Sequence, residues 1–302
     1  MHGRVPFQVA AQGGFAMKHV TRRQVLGAAG GLAATAIAGP SLAQGAGSGT
    51  LARLQADKKV RVGIANQPPY SALNPDGSIT GAGPDITKAI MGRLGITQIE
   101  GVTATYGELI PGMLAGRWDF VSALLTITDA RCKQIRFADP LVFDGTAIVY
   151  LKGSTDLAPK SIADLAKENA VVGLQAGGAL FRRAQELGVK LANLRQFTDD
   201  PATIDGLVAK RMQFALMSYT PVPALIKQRH LDAVVVYPVP DDPARGASCA
   251  FRPADTELYA AYQKELRAMK ASGEYLKIIH QYGFETPPEL MKVTAEEACK
   301  GQ

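Results

Sequence analysis

Short apolar runs alternate with helix-patterned segments along this chain, and the alternation runs through twice with a break between. In the first series, residues 60–65, 99–103 and 120–125 read as strands. Residues 84–94, with Pro84 in first position, and 108–115 read as helices. Strand–helix–strand order of this kind predicts a parallel sheet with helices on both faces. Phe137-Ala138-Asp139-Pro140 breaks the order, residues 147–151 form an extended apolar segment, and a second series follows. Its helices read at 162–167, 180–187, 201–209 and 222–229, and its strands at 171–174, 194–197, 214–217 and 233–236. Pro238, Pro240 and Pro243 end it. A return strand at 248–252 leads to Asp255, which is placed to cap a helix over 257–271. Leu258, Tyr262, Leu266 and Met269 share one face of that helix. At 302 residues the chain is too long for one ordinary core and sufficient for two lobes. Ligands of such folds bind beyond the carboxyl ends of the strands, in the crevice between lobes.

The formal charge of +6 does not indicate nucleic acid. Residues 1–43 carry Arg4, Lys18, Arg22 and Arg23 and no acid, which leaves 29 basic against 27 acidic residues, a net +2, in the rest. No basic run with interleaved aromatics stands in that remainder, so a nucleic-acid partner is not expected. Residues 1–43 themselves read as an address. Arg22-Arg23 precedes an uncharged stretch from Val25 to Ala38, too short and too rich in Gly and Ala to span a bilayer, and Ser41-Leu42-Ala43 supplies the small residues of a cleavage site. Twin arginines direct export of folded chains, here to the periplasm. Met17 offers an alternative start that would make residues 1–16 an upstream extension, and residues 44–56 read as a flexible Gly/Ser/Ala leader.

Cys132, Cys249 and Cys299 permit one disulfide in an oxidising compartment, with three pairings open. Beyond the leader only His230 and His280 remain, neither with a Cys or carboxylate at metal-ligand spacing, so no metal or cofactor is expected. Nucleophile-elbow and phosphate-loop patterns do not occur. The pairs Asp199-Asp200 and Asp241-Asp242 precede helix starts or Pro-containing turns and read as caps.

Three strand exits carry candidate binding residues. Thr126 ends an apolar strand, Thr128 or Asp129 can cap the turn that follows, and Arg131 lies one helical turn on. A guanidinium there can clamp a carboxylate through two parallel hydrogen bonds, or be a surface arginine on a helix. Asn66-Gln67-Pro68-Pro69-Tyr70 follows the first strand, with two prolines stiffening the loop so that Tyr70 stays out of the core. Tyr106 follows the second strand. Both aromatics can wall a ligand or meet a cation face-on, and either can be packing alone. In the second series, 171–179 runs from a strand through Gly177-Gly178-Ala179 into a helix whose first N–H groups favour an anion; the same glycines suit a plain tight turn.

From about Val60 to Cys299 the chain resembles the amino-acid-type family of ABC-transporter solute-binding proteins, and within it the ectoine/hydroxyectoine-binding branch. The resemblance rests on 65–70, Gly81-Ala82-Gly83-Pro84-Asp85-Ile86, 106–112, Ala115-Gly116-Arg117-Trp118-Asp119, Ala130-Arg131-Cys132 and Tyr282-Gly283-Phe284. It implies the type II periplasmic-binding-protein fold, two α/β lobes joined by a two-stranded hinge. One lobe would comprise 57–142 plus 245–300, the other 147–238. It implies a monomeric, non-catalytic receptor that captures a carboxylate-bearing polar solute, amino-acid-like or a compatible solute such as ectoine, for an inner-membrane permease. Arg131 would hold the ligand carboxylate with Thr126, and Tyr70 and Tyr106 would supply aromatic walls. The chain departs from the pattern at Gln67, where the ectoine branch has an acid, and at Thr126, where it has a third aromatic. It departs again at Ala179, in place of a hydroxyl residue, and at Ser218, in place of the acid that pairs with an α-ammonium group. Expected contacts are therefore Gln67, Tyr70, Tyr106, Thr126, Thr128, Arg131, Gly178, Ala179 and Ser218, with Asp144 and Glu108 as candidate partners for a ligand cation. A cyclohexadienyl-dehydratase-like enzyme on the same fold is the alternative, disfavoured because no acid suited to general acid/base work stands among those positions.

Overall fold

The structure is a computed structural model that describes residues 49–301. The signal sequence and cleavage site expected within residues 1–43, and the leader up to 48, lie outside the described residues. The leader from Thr50 onward is not a loose segment. Thr50–Asp57 is a helix with Leu54 wholly buried, and Arg53 bonds Asp119 at 2.5 Å.

Two sheets carry the fold. The first orders Gln98–Thr103, Lys59–Ile64, Phe120–Thr126, Arg245–Phe251 and Arg136–Phe137, with Val142–Asp144 also paired to Arg245–Phe251. The second orders Leu194–Phe197, Val172–Gln175, Phe214–Ser218, Thr146–Leu151 and Ala233–Val236. The strands expected from sequence are present, but the sheets are mixed rather than parallel. Three strands in each run parallel, as the helical crossovers require. Thr146–Leu151 enters the second sheet directly from Val142–Asp144 with no intervening helix, and lies antiparallel to both its neighbours. Arg245–Phe251 returns the chain to the first sheet and is antiparallel to Phe120–Thr126. The chain thus passes between sheets at Gly145 and again within 237–244.

Trp118 fixes the first sheet to the helix Tyr106–Leu114. Its ring is 2% exposed, its Nε1 donates to Leu109 O at 3.1 Å, and a Cβ on Gly63 or on Gly112 would overlap it. Those two glycines let a large apolar ring fill the space between strand and helix, so both elements that lead to the binding loops are set by one side chain. Two helix starts differ from expectation. Ala82–Arg93 begins two residues early, with Pro84 third in its first turn. Asp255 stands at the N-cap of Thr256–Ser272, but its carboxylate accepts from Thr50 Oγ1 at 2.7 Å and pairs with Arg252 at 2.7 Å instead of capping. Leu258, Tyr262, Leu266 and Met269 of that helix are fully buried on the first sheet, as their spacing requires. The disulfide joins Cys132 to Cys299, and Cys249 remains a buried thiol.

Candidate functional site

Where Phe120–Thr126 ends, Thr128 caps the four-residue helix Asp129–Cys132 by accepting from Arg131 N. The cap turns the Arg131 side chain back toward the strand end. Its Nη1 donates to Thr126 O at 2.9 Å, and its Nη2 donates across to Gly177 O at 3.2 Å in the second lobe. Arg131 is therefore a crevice residue and not a surface arginine. Burial pulls its guanidinium below the usual arginine range. Thr126 contributes its carbonyl to this arrangement.

Gly177 sits at φ +72°, and a Cβ there would overlap the backbone of Gly107. The two glycines bring the backbones of the two lobes close together, beside the Arg131–Gly177 bond. Gly178, the N-cap of Ala179–Glu186, brings the start of that helix to the cavity, which Gly178, Ala179 and Leu180 line, and has no side chain to cap its first N–H groups.

Gln67, Tyr70, Tyr106, Thr126, Arg131, Gly178, Ala179 and Ser218 all line one cavity between the lobes. Thr128 does not. Its hydroxyl is used in capping, and it lines a neighbouring groove on the far side of Arg131. Tyr70 departs from expectation in part. Its ring is 4% exposed and packs in the first core, 5.4 Å from the Phe284 ring, so only its edge reaches the cavity. Tyr106, first residue of its helix, donates to Ala123 O at 3.3 Å.

The acids of the site are the main finding beyond the sequence. Glu108 is excluded, because its carboxylate closes a capping box on Thr105. Asp144 lines the cavity at the first crossing and accepts from the Tyr70 hydroxyl. Asp200 also lines it, accepts from Gln67 Nε2 and is 4% exposed. Each adjacent acid pair divides its work. Asp199 caps its helix by accepting from Ala202 N at 2.7 Å, which leaves Asp200, in the first helical position, to face the crevice. Asp241 accepts from Ile162 N and Ala163 N, while Asp242 turns to the cavity and takes Thr146 Oγ1 at 2.6 Å, Arg183 Nε at 3.1 Å and Arg245. The expectation that both pairs only cap is therefore corrected.

Burial pushes the Asp200 carboxyl up to about 6, with the Gln67 bond opposing and the Asp199 and Asp144 charges adding. Burial also raises Asp144, opposed by its bonds from Tyr70 and Thr220. The Tyr70 and Tyr106 hydroxyls are both raised, first by burial and then by these acids, and Tyr106 lies within the field of Arg131 as well. Arg131 and two reluctantly ionised carboxyls thus share one small space, beside the mutually paired Asp242 and Arg245. Such a set can bind a dipolar molecule, and its acids also remove the sequence argument against acid–base chemistry.

Residues 60–286 match the family model of the bacterial extracellular solute-binding proteins, family 3. A probable amino-acid ABC transporter periplasmic-binding protein of Sinorhizobium fredii is 26% identical over 269 residues, covering 85% of this chain and 88% of that protein. The crystal structure of EhuB in complex with hydroxyectoine matches at a TM-score of 0.80 and 31% identity, covering 84% of this chain and 99% of that one. An ancestral amino acid-binding protein, a precursor of cyclohexadienyl dehydratase, matches at a TM-score of 0.67 and 29% identity, covering 78% of this chain and 100% of that one.

Proposed function

The chain belongs to family 3 of the bacterial extracellular solute-binding proteins, and from that premise we propose that its cleft holds a small zwitterion, carboxylate to Arg131 and cation to Asp200 and Asp144. As a member of this family it is the exported solute-binding component of an ABC importer, and its partners are a small molecule and a membrane permease. The observation that carries the ligand class is the sharing of one cavity by Arg131, Asp144 and Asp200. Gln67 and Ser218 lack the negative charge that the family resemblance leads one to expect at those places, and Asp200 and Asp144 supply it from neighbouring positions. Tyr106 adds aromatic surface to the cavity, and Tyr70 adds its hydroxyl, which donates to Asp144. An amino-acid-like solute and a compatible solute such as ectoine both meet this description. The names of the Sinorhizobium relative and of EhuB support the two in turn.

The finer picture is a monomer, exported by the twin-arginine route with cleavage near Ala43. Its lobes, 57–142 plus 245–300 and 147–238, close through the crossings at 145 and 237–244. A thermal-shift screen of amino acids, ectoines and small carboxylates tests the ligand class, since a tight ligand stabilises by mass action. A zwitterion should raise the melting temperature. Stabilisation by simple anions alone would refute it.

One observation favours a second reading. A buried carboxyl held up at about 6 is suited to act as a general acid or base. A dehydratase would turn over prephenate or arogenate, so no turnover by the purified protein is the expected result.

A further inference from the structure

The helix that presents Arg131 has little of its own to hold it. Asp129–Cys132 is a single turn with no fully buried residue. Such a turn fixes its backbone for very few hydrogen bonds and is not stable alone. Its bonds are Arg131 N and Cys132 N to Thr128 O, at 3.0 and 2.9 Å, Lys133 N to Asp129 O at 3.2 Å, and Gln134 N and Ile135 N to Arg131 O at 2.9 and 3.0 Å.

What stands behind it is the far end of the chain. Cys132, the residue after the clamp, is bonded to Cys299, the last residue of the helix Ala295–Cys299, at a sequence separation of 167. That helix is anchored. Ala295 is buried and its N–H donates to Asp139 Oδ1 at 3.0 Å, while Thr294 and Glu297 close a capping box. Asp139 is itself held by Arg267 at 2.9 Å, and its N–H donates to Gln263 Oε1 at 3.0 Å. A continuous chain of contacts therefore runs from the long helix Thr256–Ser272 through Asp139, Ala295, Cys299 and Cys132 to Arg131.

We propose that Cys132 and Cys299 are positioning residues for ligand binding: their disulfide pins the one-turn helix so that Arg131 is aimed into the cleft before a carboxylate arrives. This rests on Arg131 as the carboxylate clamp. Without the bond, the turn frays and only a fraction of molecules present the guanidinium correctly. The apparent affinity falls by that fraction, about tenfold if one molecule in ten is competent.

The test has two arms. In hydrogen–deuterium exchange, Cys132→Ser/Cys299→Ser should exchange the amides of residues 131–135 at least about tenfold faster than wild type. The strand Phe120–Thr126 should keep its protection. Unchanged protection at 131–135 overturns the proposal, and this arm needs no ligand. If the serine pair folds poorly, Cys132→Ala/Cys299→Ala gives the same readout without added hydroxyls. In the second arm, calorimetry with hydroxyectoine and with L-arginine compares the pair in the wild-type and Arg131→Lys backgrounds. Loss of affinity in the first background and little further loss in the second supports positioning through Arg131. Equal losses in both would assign the disulfide to general stability and overturn it. If wild type binds neither probe, the zwitterion found in the thermal-shift screen takes their place, and exchange still decides whether the disulfide holds the turn.

Discussion

If Asp200 faces the ligand cation as proposed, it should make binding sensitive to pH, and the size of the effect follows from its burial. The carboxyl is held up at about 6, where an unfolded chain would have it near its ordinary value of 3.8. The folded pKa is the higher one, so between those values the native state holds more protons than the unfolded state. Stability therefore falls as pH rises through that window, and the ionised carboxylate at neutral pH costs on the order of 3 kcal/mol in the unliganded protein. A ligand cation beside Asp200 offsets that cost, but only for the ionised form. The competent fraction is about 0.9 at pH 7 and about 0.1 at pH 5. Affinity for a zwitterion should thus weaken about tenfold between those pH values, or ~1.4 kcal/mol. Binding at pH 6 should release about half a proton per ligand, the unliganded carboxyl being half ionised there. Calorimetry in two buffers of different ionisation enthalpy measures both quantities. Asp200→Asn should bind more weakly at pH 7 and show a flattened profile. A flat wild-type affinity from pH 5 to 7 would refute the reasoning. A slope that survives in Asp200→Asn would also refute it, by assigning the titration to Asp144.

Arg131→Ala should weaken binding at least about tenfold in calorimetry, because charge-assisted hydrogen bonds contribute roughly 1.5–3 kcal/mol each. Arg131→Lys should recover only part, since an ammonium keeps charge but loses the two-pronged geometry. Gly177→Ala should hold the lobes apart, its Cβ meeting the Gly107 backbone at a left-handed φ, so that affinity drops while small-angle scattering shows a wider molecule. Gly112→Ala should destabilise by about 1–3 kcal/mol in urea unfolding, because the added methyl overlaps the Trp118 ring. Arg22→Lys/Arg23→Lys should strand uncleaved precursor in the cytoplasm, and normal periplasmic yield of that variant would count against the twin-arginine route.

The strand–helix order was legible because apolar period is a local property of the chain. Strand direction was not. Thr146–Leu151 is as apolar as the parallel strands beside it, and only the missing helix before it marks it as antiparallel. Arg131 was half legible: the capped turn after a buried strand allowed a crevice residue or a surface arginine, and the family resemblance pointed to the crevice. Asp200 was hidden by its neighbour. Two adjacent acids at a helix start both look like caps, yet one helix N-terminus needs a single side-chain acceptor. The helix that begins with Asp200 sends it toward the loops around Gln67 and Tyr106 once Asp199 has taken the cap. Two adjacent acids at such a start are thus a signal in themselves. The disulfide partner was beyond reach, since 167 residues and a whole second lobe separate Cys132 from Cys299.

The cleft groups already have partners within the protein, and this decides what a ligand must bring. Arg131 rests on two neutral carbonyls, Asp200 on the Gln67 amide and Asp144 on the Tyr70 hydroxyl. A neutral solute that displaced these would exchange like for like and gain little. A simple anion would give Arg131 stronger, charge-assisted bonds but would add repulsion with two buried acids. A simple cation would relieve the acids and repel the guanidinium. On the proposed reading, only a molecule carrying both charges improves every one of these pairings at once, and its charges must be spaced to match Arg131 and the acids across the cavity. Selectivity then comes from the internal hydrogen bonds as much as from the charges, because each sets the threshold that a competing solute has to exceed.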